Sequence, residues 1–276
     1  MIFAQYLNQL EQELEAVGEE AESLSFVYRA LHKLSLTDFV LKIRTEVSQE
    51  DREELKAIQE QLLAHKPAQY IIGSSDFHGL TLKVDERVLI PRPETEELVE
   101  IILSENPESS VSVLDIGTGS GAIALALANS RPDWQITASD LSGNALSLAV
   151  ENAQSCGLSL TFVQSDCLEA ISGRFDIIVS NPPYISAADM AEVGLNVLTS
   201  EPHMALFAEE DGYAVYRKIA EQAGDYLTEK GKIYLEIGYK QGDGIRELLK
   251  KNFPQKRIRV LKDQFGKDRM VVVDNG

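Results

Sequence analysis

The chain has 276 residues, 26 basic against 44 acidic side chains, a formal net charge of −18, and 44% hydrophobic and 25% charged residues. That length and composition support about two domains with a sizeable core and exclude a disordered or collagenous chain. So acidic a protein repels phosphate backbones, Cys156 and Cys167 form no CxxC pair, and no apolar run suits a signal peptide or membrane helix. A cytoplasmic monomer is expected, with no stable nucleic-acid partner, no membrane contact and no structural zinc.

The charge is uneven: residues 1–66 sum to −6, residues 67–229 to −18 and residues 230–276 to +6. The basic C-terminal stretch reads as a solvated face, or else as a contact patch for an acidic or RNA-bearing partner.

Residues 1–66 read as four short amphipathic helices. Ile2, Phe3, Tyr6, Leu7, Leu10, Leu14 and Val17 recur at three- and four-residue steps, and Gly18 offers a stop. Leu24, Val27, Leu31 and Leu34 repeat the pattern, and a third helix is expected after Thr37 as N-cap. A fourth starts near Ser48 with an acidic first turn, buries Leu55, Ile58 and Leu62, and ends before Pro67. No catalytic constellation lies among them, so this small bundle either binds a partner or merely packs.

Residues 67–92 read as a hairpin linker. Tyr70–Gly73 and Leu80–Val84 are β-like runs, with Ser74-Ser75-Asp76 as the turn between them. Pro91 and Pro93 delay the next helix until Glu94. From Val111 strands and helices alternate. Strands are expected at Val111–Ile116, Trp134–Ser139, Leu160–Val163, Phe175–Ser180, Lys232–Ile237, Ile258–Leu261 and Met270–Val273. Helices are expected at Ala122–Ser130, Gly143–Ser155, 211–227 and 241–251. The pattern predicts a parallel α/β sheet covered on both faces, with chemistry at the carboxyl ends of its strands.

The first such end carries Asp115-Ile116-Gly117-Thr118-Gly119-Ser120-Gly121. Its spacing is GxGxG, not the GxGxxG of dinucleotide sites, and no phosphate-loop Lys-Ser/Thr follows. Asp140 ends the next strand, where an acid can accept both ribose hydroxyls. An acidic domain also attracts a sulfonium, so S-adenosyl-L-methionine is the favoured ligand.

Asn181-Pro182-Pro183-Tyr184 follows the apolar strand Phe175–Ser180. Two prolines cannot continue a strand ladder and hold the backbone stiff and extended. The Pro182 carbonyl and the Asn181 side-chain oxygen then offer two acceptors to one NH2 group, and Tyr184 offers a ring to stack on its planar parent. Fixing both hydrogens of such a group turns its lone pair towards a methyl donor, and positioning of this kind is worth roughly 7–11 kcal/mol. No metal is required.

Asp115–Gly121 together with Asn181–Tyr184 resembles the class I, seven-strand methyltransferases that act on planar amino groups. With the blocks Leu89–Glu96 and Asp263–Arg269 added, essentially the whole chain resembles a narrower group, the bacterial peptide chain release factor N5-glutamine methyltransferases (the HemK-like group). The resemblance implies a seven-strand Rossmann-like α/β sheet over 93–276. A β-hairpin linker (67–92) would join it to an N-terminal helical substrate-recognition domain (1–66). It implies S-adenosyl-L-methionine bound by Gly117, Thr118, Gly119, Ser120, Gly121 and Asn181, its ribose on Asp140 and its adenine near Asp166 and Cys167. Cys167 stands where some members of the group have an aromatic residue. The implied substrate is the glutamine of the Gly-Gly-Gln loop of class I release factors. It would be held by Asn181, Pro182, Pro183 and Tyr184, with Asn181, Pro182 and Tyr184 as catalytic residues. The tetrapeptide is shared with DNA, RNA and ribosomal-protein methyltransferases. A ribosomal-protein glutamine methyltransferase therefore stands as the nearer alternative, and a nucleic-acid N6-adenine or guanine methyltransferase as the more distant one, opposed by the net charge.

Overall fold

A computed structural model describes residues 1–106 and 110–276. The chain divides into two compact units, Met1–Ser75 with Val193–Glu201, and Asp76–Glu192 with Pro202–Gly276.

The first unit is helical, with helices Phe3–Glu15, Glu22–Leu31, Leu36–Lys42, Gln49–Leu63, Ala68–Ile72 and Leu195–Ser200 among the described residues. Phe3, Leu7, Leu10, Leu14, Leu24, Val27, Leu55, Ile58 and Leu62 form its core, as the spacing of the apolar residues predicts. Three local expectations are corrected. Val17 lies beyond the first helix and is 57% exposed. The third helix is capped by Ser35 and not Thr37: Ser35 Oγ accepts the Asp38 N–H, and Asp38 reaches back to the Ser35 N–H. Tyr70–Gly73 is not a strand. Pro67 opens a helix at Ala68–Ile72, and Gly73 ends it at φ 81, a left-handed conformation that glycine adopts without steric cost.

The hairpin is therefore shifted along the chain. Strands β1 (Ser74–Phe77) and β2 (Leu80–Lys83) pair around His78-Gly79, both at positive φ, so Ser74-Ser75-Asp76 is strand and not turn.

The second unit is built on a seven-stranded sheet among the described residues, in the order β5-β4-β3-β6-β7-β9-β8. Its strands are β3 (Ser112–Ile116), β4 (Gln135–Asp140), β5 (Thr161–Gln164), β6 (Phe175–Ser180), β7 (Leu227–Glu236), β8 (Arg257–Lys262) and β9 (Asp268–Asp274). Strands β3 to β7 are parallel, but β9 runs antiparallel to both β7 and β8. The sheet is thus mixed and not wholly parallel. The short connection from Lys262 to Asp268 can only reverse the chain, whereas a parallel return needs a long crossover.

Alternate residues of each strand enter opposite cores. Val113, Ile177, Val179, Tyr234 and Val272 pack with the helices Pro93–Glu105 and Ala122–Ser130. Leu114, Ile178, Ile233, Leu235 and Val271 pack with Ala214–Tyr226 and Gly242–Asn252. Helix Ala122–Ser130 is buried nearly all round, which explains its apolar sequence.

Basic side chains of the C-terminal stretch are extensively paired within the fold. Arg259 bridges Glu105 and Asp274, Arg257 meets Asp274, and Lys240 meets Asp189 and Glu192. No helix among the described residues is long and apolar enough to cross a membrane.

Candidate active site

In an open α/β sheet, ligands settle where the strand order reverses. Here that point lies between β3 and β6, since successive strands run outward from β3 on one side and from β6 on the other. Ile116 is paired with Ser139 on one flank and Ser180 on the other. The segments starting at Gly117, Asp140 and Asn181 therefore leave three neighbouring strands side by side. They enclose a cavity of about 420 Å³.

Of the residues singled out in the sequence, Gly117, Thr118, Gly119, Ser120, Asp140, Asp166, Cys167, Asn181, Pro182 and Pro183 line this cavity. Gly121 and Tyr184 are not part of its lining. A Cβ on Gly121 would sit 3.0 Å from Leu125 Cδ1 and 3.4 Å from Ala149 Cβ, so its place is the packing of the helix against its neighbours. Tyr184 packs against the core on the Ala214–Tyr226 side, and burial pushes its phenol up to about 12.

The glycine loop is tied down at both ends. The N–H groups of Gly117 and Thr118 donate to the Ser139 carbonyl at 2.8 and 2.9 Å. Thr118 Oγ1 donates to Asp115 Oδ2 at 2.6 Å. Asp115 is fully buried, and that burial pushes its carboxyl up to about 7, against the opposing hydrogen bond from Thr118. Gly117 and Gly119 take φ 72 and 56, and a Cβ on either would meet nothing within 4 Å. Their backbone thus stays bare on an open side, as close approach of a ligand requires.

Asp140 Oδ2 accepts the Gly119 N–H at 2.9 Å and Oδ1 the Ser142 N–H at 2.8 Å. Burial raises its pKa, opposed by the backbone N–H groups of Ser142, Gly119 and Leu141. Asp166 is held by Lys218 Nζ at 2.6 Å, and Cys167 beside it adopts φ 49.

The Asn181–Tyr184 segment is braced from two sides. Asn181 Nδ2 donates to Thr95 Oγ1 at 3.1 Å, and Thr95 Oγ1 donates to Glu236 Oε2 at 2.6 Å. Beyond the prolines, Gln241 Nε2 donates to the Tyr184 carbonyl at 3.1 Å, and Ile185 forms an isolated bridge with Phe207.

Sequence reasoning passed over several residues at this site. Arg87, Val88, Pro202, Met204, Phe207 and Lys218 line the cavity as well. Glu236 was legible in principle. It interrupts the apolar run Tyr234-Leu235-Glu236-Ile237 at a strand's carboxyl end, as Asp115 and Asp140 do in theirs. The segment 202–208 carries no comparable signal. Among the described residues, no group of three or more His, Cys, Asp or Glu side chains is placed to hold a metal ion.

The fold and the sequence are similar to those of known proteins. The family model "Methyltransferase small domain" matches residues 94–266, and "PrmC N-terminal domain" matches residues 5–73. The chain is 64% identical to a release factor glutamine methyltransferase of Streptococcus pneumoniae, over 100% of this chain and 99% of that protein. It is 50% identical to one of Lactococcus lactis, over 94% and 96% of the two chains. A crystal structure of a methyltransferase from Pyrococcus furiosus shares the fold with a TM-score of 0.56 at 21% identity, covering 80% of this chain and 99% of that one. With its site at the switch point and near-complete coverage by these relatives, the chain belongs to the release factor glutamine methyltransferase family.

Proposed function

We propose that this protein methylates the side-chain amide nitrogen of the glutamine in the Gly-Gly-Gln loop of class I release factors, with S-adenosyl-L-methionine as methyl donor. The observation that carries this reading is the meeting of a bare glycine loop, an acid and an Asn-Pro-Pro segment at one switch-point cavity. The family membership of the whole chain supports it.

Gly117 and Gly119 fit the donor, because their backbone is open where the ligand would lie. Asp140 fits it too. Each carboxylate oxygen accepts a backbone N–H, and the pair keeps lone-pair capacity for a ribose hydroxyl. Thr118 and Ser120 complete that wall, with Asp166 and Cys167 beside the adenine position. When bound, S-adenosyl-L-methionine supplies an electrophilic methyl group on a sulfonium. The chain's own task is orientation. Asn181 Oδ1 and the Pro182 carbonyl accept the two amide hydrogens, while Pro183 keeps the segment extended. Fixed acceptors also stabilise the positive charge that develops on nitrogen.

The helical unit is proposed to recognise the intact release factor. A glutamine side chain offers too little surface for specificity, whereas stable recognition buries on the order of 1,200–2,000 Å². Helix Leu36–Lys42 buries none of its residues and exposes Leu36, Val40 and Leu41.

Labelled S-adenosyl-L-methionine offered with purified release factor, ribosomal protein and DNA in parallel tests the proposal. Label on the release factor, lost when its loop glutamine is replaced, is expected. Preferential labelling of ribosomal protein or DNA would overturn it.

A further inference from the structure

Thr95 and Glu236 take no part in the reaction as set out above, yet both are buried and both stand against Asn181. Glu236 ends β7. Since Ser180 pairs with Leu235 in a parallel register, the next residues along, Asn181 and Glu236, leave adjacent strands side by side. Thr95 enters between them from the first turn of helix Pro93–Glu105.

The hydrogen bonds permit only one orientation of the Asn181 amide. An ionised carboxylate can only accept, so the single hydroxyl proton of Thr95 is committed to Glu236 Oε2 at 2.6 Å. The Thr95 oxygen then faces Asn181 as an acceptor and takes its Nδ2–H at 3.1 Å. With the NH2 group turned inward, Oδ1 is the atom left for an incoming ligand. The reverse orientation would set Oδ1 against the Thr95 oxygen and present NH2 to a substrate NH2, donor against donor.

We propose that Glu236 and Thr95 are positioning residues that lock the Asn181 amide with Oδ1 facing the substrate. The consequence for turnover rests on the methyl-transfer reading above; the orientation itself does not.

The lock depends on the charge of Glu236. Burial pushes its carboxyl up to about 7, opposed by the Thr95 hydrogen bond, by Arg269 and by a direct hydrogen bond from the Asn181 amide, which the same carboxylate charge also holds inward, while Glu94 adds to the rise. The phenols of Tyr184 and Tyr216 also face it, and Tyr216 donates to its backbone carbonyl at 2.7 Å. Once protonated, the carboxyl donates to Thr95, the Thr95 proton is freed towards Asn181, and the constraint reverses. Turnover is therefore expected to rise with pH as the carboxylate forms.

The full-length chain and its Thr95→Val, Thr95→Ser and Glu236→Gln variants test this. Thr95→Val should lose on the order of 100-fold in kcat, the scale of a misplaced reacting group. Its calorimetric affinity for S-adenosyl-L-methionine should be retained, and Thr95→Ser should restore the rate. The acidic limb of the kcat profile should vanish in Glu236→Gln, whose amide oxygen still accepts from Thr95 but does not titrate. The side-chain NH2 resonances of Asn181 should shift with the same pH midpoint in the unaltered protein and stay fixed in Glu236→Gln. A Thr95→Val variant with full kcat, or Asn181 resonances indifferent to both pH and Thr95→Val, would overturn the proposal. Resonances that respond as expected in a protein that methylates no glutamine would uphold the lock and overturn the substrate reading instead.

Discussion

The backbone N–H of Gly119 donates to Asp140 Oδ2 at 2.9 Å, so one carboxylate both shapes the glycine loop and faces the cavity. Asp140→Ala removes that brace together with the acceptor proposed for the ribose. The expected loss is about 1.5–3 kcal/mol in affinity for S-adenosyl-L-methionine, the range for a hydrogen bond to a charged group. A lower thermal midpoint should accompany it, because the Gly119 and Ser142 N–H groups lose their acceptors. Isothermal titration and thermal denaturation check both, and unchanged affinity would remove Asp140 from the site.

Asn181→Ala deletes one of the two acceptors for the substrate amide and leaves the glycine loop intact. Turnover should fall by on the order of 100-fold or more, while donor affinity changes little. Single-turnover methylation at saturating donor decides it. Near-normal turnover would end the role given to this side chain.

Gly212 bears on the same segment from outside the cavity. A Cβ there would lie 2.2 Å from the Tyr184 carbonyl oxygen, and Gly212 itself has φ 86. Gly212→Ala should therefore cost about 1–3 kcal/mol in stability and displace the chain just after Pro183. Turnover should fall further than in Gln241→Ala, which removes hydrogen bonds to the Tyr184 and Gly212 carbonyls and from the Gly238 N–H but introduces no clash. Denaturant melts with paired kcat measurements distinguish the two.

In the helical unit, Asp51 is nearly buried and accepts from Tyr28 at 2.7 Å, Lys42 at 2.9 Å and the Ser48 N–H at 3.1 Å. Burial alone would raise its pKa, but Lys42, Tyr28 and Ser48 outweigh it and hold the carboxyl well below the usual range. A depressed carboxylate stabilises the fold above its unfolded pKa near 3.9 and loses that contribution as pH falls towards the folded value. Asp51→Asn should lower stability at neutral pH by about 2–4 kcal/mol, since Lys42 then loses its charged partner. It should also flatten the fall in stability below about pH 4. Urea unfolding between neutral and acid pH measures both effects.

The recognition role proposed for the helical unit calls for surface changes more than for truncation, because Val193–Glu201 belongs to the same unit. Ser200 Oγ donates to the His65 carbonyl at 3.1 Å. Joint Leu36→Ser and Leu41→Ser substitution, at side chains 68% and 60% exposed, should leave folding intact. KM for intact release factor should rise about tenfold, the scale of one or two interface side chains. Methylation of a short Gly-Gly-Gln peptide should not change, and an equal effect on both substrates would refute the role.

The local signals that the sequence carries are those of spacing and stereochemistry. Apolar residues three and four apart set the helices Phe3–Glu15 and Gln49–Leu63, and Ser48 with Asp51 sets the start of the latter. Short apolar runs ending in glycine, acid or proline mark β3, β4 and β6 and the loops that follow them. Ten of the twelve residues singled out in the sequence for this site line one cavity, because strand ends in an α/β sheet converge. Other features depend on partners distant in the chain, which no local pattern encodes. The Tyr70–Gly73 run is β-like in composition, yet Ile71 and Ile72 pack on the helical core and the segment folds as helix. The short loop before β9 reverses the chain locally, but the place of β9 between β8 and β7 depends on pairing with a strand far along the chain. Thr95, Asn181 and Glu236 are separated by 86 and 55 positions; the register of β6 against β7 sets Asn181 beside Glu236, and the packing of helix Pro93–Glu105 brings Thr95 to both. Sequence alone determines which residue types stand at the strand ends; tertiary pairing decides which of those ends are neighbours, because a hydrogen bond depends on distance in space and not along the chain.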